Sequence, residues 1–194
     1  METKVWHQYR WTAGVPFDVT YPTIPVHRLL ENAAQEHSHA PFVVFNDHAQ
    51  TYAEVDAMAN RIANFLIAHG IRTGDRVALF LPNVPHYPAV FFGVLKAGAI
   101  SVTCNPTYSV PELNYQLADS GARCLFAMDH PVLYTTACAA LHGTAVETVV
   151  YCNISTFLPV HERMLGKLFG KIPHAEQHVA QHVSFDDVLH KAPA

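Results

Sequence analysis

Between residues 76 and 152 apolar and polar positions alternate in blocks rather than residue by residue. RVALFL, AISVTC, RCLFAM and VETVVYC are short β-rich runs, and PAVFFGVLKAG, SVPELNYQLADSG and HPVLYTTACAALHG between them have helical character. Continuous apolar runs are what strands covered on both faces require. Strand starts near 76, 99, 123 and 146 leave similar intervals, each enough for strand, helix and two turns. The pattern therefore predicts an α/β fold, a mostly parallel sheet with helices on both faces and right-handed crossovers. No residue repeat accompanies the even spacing, which excludes a solenoid.

Upstream, PFVVFNDHAQTYAEV reads as strand, Asn-Asp turn and returning strand, a hairpin. Thr51 and Glu54 form a T-x-x-E capping box opening a helix from about Tyr52 to His69, with Val55, Met58, Ala59, Ile62, Leu66 and Ile67 at helical spacing and Gly70 as its stop. A helix over about Val26 to Glu36 precedes the hairpin. Before it, Trp6, Tyr9, Trp11, Pro16, Pro22 and Pro25 suit an extended arm laid across a surface. The expected organisation is an arm and helix over 1–40, a sheet domain over 41–152 and a helical extension over 153–194.

Composition supports a well-buried globule: half of the residues are hydrophobic and 14% are charged. The net charge of −4, with no basic run interleaved with aromatics, argues against nucleic acid as a partner. Cys104, Cys124, Cys138 and Cys152 stand alone in apolar stretches, which suits buried free thiols in a reducing compartment. The start lacks an apolar leader core, and the longest apolar passage, Pro88 to Cys104, contains Lys96 and two glycines. A cytoplasmic protein without a membrane span is expected.

In open parallel sheets ligands bind beyond the carboxyl ends of the strands. Those ends read Pro82-Asn83, Asn105-Pro106, Met128-Asp129 and Cys152-Asn153, so four polar side chains line one rim. Asn and Asp also end strands simply because they satisfy nearby backbone N–H groups, and that plainer role is the expected one. Ser109 with Glu112 is a second capping box. There is no G-x-G-x-x-G, no G-x-x-x-x-G-K-[ST] and no G-x-S-x-G, and Asp186-Asp187 lies far from any expected strand end. No catalytic residue and no metal ligand is assigned. Among the fourteen histidines, His174, His178 and His182 recur every four residues. On one helix the outer two would stand ~12 Å apart along the axis, too far for a single ion, which favours a solvated face.

Two passages closely resemble the first two motifs of the AMP-forming acyl-CoA synthetase, or adenylate-forming, superfamily: TYAEVDAMANRIANFLIAHGIRTGDRVALFLPN (51–83) and FFGVLKAGAISVTCNPTYSVPELNYQLADSGARCLF (91–126). Long-chain fatty-acid CoA ligases look nearest, and the likeness extends to Trp6, Tyr9 and Gly14-Val15-Pro16. The resemblance implies the N-terminal subdomain of such a ligase. These enzymes activate a carboxylic acid with Mg-ATP to an acyl-adenylate and pass the acyl group to coenzyme A. The phosphate loop ending in Pro-Lys-Gly, the adenine and metal-binding stretch and the lysine-bearing C-terminal domain of the family do not occur here. The chain is therefore expected to be an N-terminal fragment, inactive alone, with the downstream part of the same enzyme as its partner and with ATP, Mg and CoA entering only in the full-length protein.

The resemblance also implies that Lys96-Ala97-Gly98-Ala99 turns a helix tightly into a strand, where a larger side chain would not fit. It makes Asn83, Asn105 and Tyr108 the candidates for the acyl or CoA edge. Relatives often carry a basic residue where this chain has Pro111, so no charge-mediated role passes to that position.

In FLPVHERMLGKLFGKIP, residues Phe157, Leu158, Met164, Leu165, Leu168, Phe169 and Ile172 fall within one helical arc, with Arg163, Lys167 and Lys171 outside it. The expectation is a basic amphipathic helix over 157–172 that packs on protein or makes peripheral contact with a membrane. The competing functional class is a non-catalytic α/β module that binds a partner or a membrane.

Overall fold

The computed structural model describes residues 20–169 and 172–192. The residues of the arm up to 19, with Trp6, Tyr9, Trp11 and Pro16, lie outside that range. Helix α1 (His27–Glu36) leads to a hairpin of β1 (Pro41–Phe45) and β2 (His48–Thr51). Its Asn46 and Asp47 both take positive φ, 47° and 63°. That pairing gives the primed turn whose twist matches two antiparallel strands, and short polar Asn and Asp tolerate it best. Thr51 then caps α2 (Tyr52–Ala68) with both halves of the Thr51–Glu54 box in place.

The main sheet follows the block pattern. Its strands are β3 (Arg76–Phe80), β4 (Ile100–Thr103), β5 (Cys124–Met128), β6 (Thr148–Cys152) and β7 (Val183–Ser184). The crossovers carry α3 (His86–Lys96), α4 (Val110–Ser120) and α5 (Pro131–Ala139) in turn. A 3-10 turn (Ile154–Phe157) and α6 (Val160–Leu168) follow β6, and α7 (Phe185–Lys191) follows β7. All pairings in this sheet are parallel, in the order β4-β3-β5-β6-β7. The chain first steps outward from β3 to β4 and then returns to the other side of β3, which makes the β3/β5 boundary a topological switch point. The sheet continues beyond residue 152: β7 pairs with β6, and Phe185 and Val188 of α7 are buried in the core.

Each sheet face has its own core. Val77, Leu79, Cys124, Phe126 and Val150 point to the side covered by α2, α3 and α7, while Ala78, Phe80, Leu125, Ala127 and Val149 point to the side covered by α4 and α5. Alternate residues of one strand thus serve two cores, which is why the sequence shows runs and no polar alternation. In α2 the buried positions include Val55, Ala59, Ile62 and Leu66, whereas Ile67 is exposed. Gly93 lets α2 and α3 approach closely, since a Cβ there would sit 2.7 Å from Ile62 Cβ. Gly98, at φ 75°, makes the expected tight turn, with a Cβ excluded by Thr73 Oγ1 at 2.8 Å.

Two expectations for the extension are corrected. The helix runs only over Val160–Leu168: Phe157 lies in the 3-10 turn, and Ile172 lies beyond the helix, buried and close enough to Gly166 to exclude a Cβ there. Pro159 accounts for the late start, because its ring is tolerated at a helix entrance and not within one. Arg163, placed on the outer face by its sequence position, instead reaches Asp186 at 2.8 Å, while Met164, Leu165 and Phe169 are 67%, 52% and 66% exposed. Residues 173–182 form no helix, so His174, His178 and His182 do not share a solvated helical face. Their bonds to the sheet rim, described next, outweigh the helical spacing. Among the described residues no helix is long and apolar enough to cross a membrane.

Candidate functional site

The carboxyl rim gathers polar groups where β5 and β6 end. Asp129, which follows β5, is 2% exposed, and its carboxylate is fully engaged. Asn153 Nδ2 donates to Oδ2 at 2.6 Å, while the Ala175 N–H at 2.7 Å and His178 Nε2 at 2.9 Å donate to Oδ1. A buried carboxylate is stable only with such a complement of donors. The His178 ring stacks on Tyr151, with centroids 4.1 Å apart.

A second anchor stands beside it in α5. The Tyr134 hydroxyl oxygen accepts from the Val179 N–H at 3.1 Å and its proton is donated to His182 Nδ1 at 2.7 Å. Burial pushes the Tyr134 phenol up to about 12, and burial together with the neighbouring His178 pushes His182 down from its ordinary value, so a phenol donating to a neutral imidazole is the consistent assignment. Next to these groups lies a cavity of about 490 Å³, bordered by Asp129, Asn153, Ser155, Arg163, His178 and Asp186 among others. Arg163 and the Thr156 hydroxyl both donate to Asp186, each at 2.8 Å.

Below the rim, at the start of α3, His86 is fully buried between the edges of Phe157 and Phe185, with ring centroids 4.6 and 4.7 Å away. Neither ring nitrogen has a hydrogen-bond partner of acceptable geometry, although the Asn153 backbone is close enough to oppose part of the effect of burial. Burial pushes this imidazole down to about 3, so it is neutral at physiological pH.

Of the three side chains singled out from the resemblance, Asn83 and Asn105 follow neighbouring parallel strands and so emerge on the same rim, both exposed. Asn105 Oδ1 accepts from the Thr107 N–H and hydroxyl at 3.0 and 2.9 Å, the local turn that ends β4. Tyr108 is half-buried against the core under α4 and α5. None of the three borders the cavity, whereas Asp129 and Asn153, noted only as strand ends, bond to each other there. Tyr134, Tyr151, His178 and His182 were not foreseen at the rim; the only signal was the four-residue histidine spacing, which points to a helix.

The polar groups of the rim are engaged chiefly with one another. Both oxygens of Asp129 are engaged by donors, and burial holds the Cys104 and Cys124 thiols up to about 11 and about 12 and pushes Cys152 well above its ordinary value, so no described thiol near the sheet is a ready nucleophile. Among the described residues no trio of His, Cys, Asp or Glu is placed to hold a metal, and the cavity's arginine is already paired with a carboxylate. These side chains do not by themselves fit a magnesium-bound triphosphate.

An open parallel sheet with this strand order and a polar carboxyl rim defines a doubly wound α/β domain. The AMP-binding enzyme profile matches residues 30–183, and the chain belongs to that family. It is 30% identical to a long-chain-fatty-acid–CoA ligase of Bacillus subtilis (strain 168) over 84% of its own length and 30% of the ligase. It is 38% identical to surfactin synthase subunit 1 of the same organism over 67% of its length and 4% of that protein. Among solved structures, apo MbtA of Mycobacterium smegmatis superposes with a TM-score of 0.68 at 28% identity, covering 90% of this chain and 28% of that one. The chain thus spans less than a third of each of these relatives.

Proposed function

We propose that the chain is the N-terminal part of an ATP-dependent acid–CoA ligase that activates a fatty acid as its acyl-adenylate and transfers it to coenzyme A. The match to a long-chain-fatty-acid–CoA ligase over 84% of the chain carries this reading. ATP, magnesium and CoA belong to the complete enzyme: the sequence of this chain holds no phosphate loop ending in Pro-Lys-Gly, and on this reading the isolated chain has no ligase activity. On the shared rim, Asn83, Asn105 and Tyr108 lie toward the acyl or CoA edge. The test is acyl-CoA formation by the complete gene product from a panel of fatty acids, ATP and CoA. Fatty-acid-dependent thioester formation supports the reading; a coding sequence that stops at Ala194 or a complete product without ligation overturns it.

The exposed Met164, Leu165 and Phe169 favour a second role for α6, peripheral membrane contact within residues 157–172. Co-sedimentation with anionic liposomes tests it through the Leu165→Glu and Phe169→Glu exchanges. Binding lost in the double variant supports contact with lipid, and binding unchanged contradicts it.

A further inference from the structure

Residues 172–182 cross the carboxyl ends of β5 and β6 without forming a helix or a strand. Within this crossing Ile172 and Ala175 are buried, while every residue from 176 to 181 is exposed. Besides Ile172, Ala175 and the stacking of His178 on Tyr151, its hold on the sheet is polar and comes from two side chains of one short stretch of chain. Asp129 takes the Ala175 N–H and His178, and Tyr134 takes the Val179 N–H and His182. Segments with little buried apolar surface, held by a few polar bonds, occupy the low-stability end of a protein's opening spectrum. Ile172, His174 and His178 of the same crossing border the cavity of about 490 Å³, so lifting the crossing removes one of its walls.

We propose that residues 172–182 are a detachable strap, latched by Asp129 and Tyr134, and that its release as a unit opens the cavity at the ends of β5 and β6. The two anchors hold consecutive halves of the strap: Ala175 and His178 go to Asp129, Val179 and His182 to Tyr134. His178 and Val179 are adjacent residues on different anchors, so neither anchor lets go without loosening the other. The proposal does not depend on the ligase reading and stands or falls apart from it.

Residue-resolved amide hydrogen exchange on the 194-residue chain tests it. Tyr134→Phe deletes one hydroxyl, and the informative amide is Ala175, which bonds to Asp129 and not to Tyr134. Release as a unit accelerates Ala175 exchange tenfold or more while Val77–Phe80 and Leu125–Ala127 keep their rates. The reciprocal variant His178→Phe retains a ring against Tyr151, loses the bond to Asp129, and is read at Val179, whose own acceptor is untouched. The strap is overturned if each variant changes only the amides its own anchor holds, or if the β3 and β5 amides accelerate equally, which would make the crossing a fixed part of the sheet. Should Tyr134→Phe fail to fold, His178→Phe decides between the same outcomes.

Discussion

Lys96 Nζ lies 2.7 Å from Asp56 Oδ1, linking the end of α3 to the first turns of α2, and the lysine side chain is only 8% exposed. The same ammonium reaches Asn60 Oδ1 at 2.7 Å and Glu31 of α1 at 3.2 Å, so one cation ties three helices on one face of the sheet. Lys96→Met removes the charge, keeps most of the stem and leaves two carboxylates facing a low-dielectric seam. Because those carboxylates remain partly solvated, a loss of about 1–2 kcal/mol is expected, toward the low end for charged hydrogen bonds. Urea denaturation of Lys96→Met, Asp56→Asn and the double variant measures the coupling; additivity of the two single effects would show that the contact contributes nothing.

The neutral, buried His86 makes stability fall in mild acid. Its imidazole holds a proton only near pH 3 when folded, against about 6.5 in an unfolded chain. Between those values the unfolded state binds more protons, so stability rises with pH in that window, is fully present above about 6.5, and is progressively lost as pH falls toward 3. The slope amounts to about 1.4 kcal/mol per pH unit for a single group. His182, also pushed down, adds in the same direction. His86→Phe suits the aromatic surroundings and is expected to reduce the difference in urea midpoint between pH 7 and pH 5. An undiminished difference would mean that another group controls it.

Gly93 sets the spacing between α2 and α3. A methyl at this position would lie 2.7 Å from both Cβ and Cγ2 of Ile62 and 3.0 Å from the Ala59 carbonyl oxygen, and two of those obstacles cannot rotate away. Gly93→Ala is therefore expected to destabilise by about 1–3 kcal/mol despite alanine's better helix propensity. Trimming Ile62 to Val leaves its Cβ in place and should restore little. Chemical denaturation of the single and double variants measures this, and a stabilised Gly93→Ala would show that the helices separate freely.

The sheet was legible because each of β3, β5 and β6 is covered on both faces, and that burial writes itself as runs such as RVALFL and RCLFAM. The caps at Thr51 and Ser109 were legible because the pairing of cap and acid is local, three residues apart. The rim was not legible in the same way. Asp129 meets His178 across 49 residues, and nothing in the sequence near either announces the other. The spacing of His174, His178 and His182 is a helical signal, but the donors needed by a buried carboxylate impose a different path. For the same reason Arg163 was placed outward on α6: its partner Asp186 is distant in sequence, and only the folded chain shows that the charge turns inward while Met164 and Phe169 turn out.

The most direct measurement is pyrophosphate release by the purified 194-residue chain supplied with Mg-ATP, fatty acids and CoA. A folded scaffold whose rim carboxylate and arginine are already committed to partners within the chain should release none above the protein-free rate. Fatty-acid-dependent release by the chain alone would contradict the assignment of nucleotide chemistry to the rest of the enzyme.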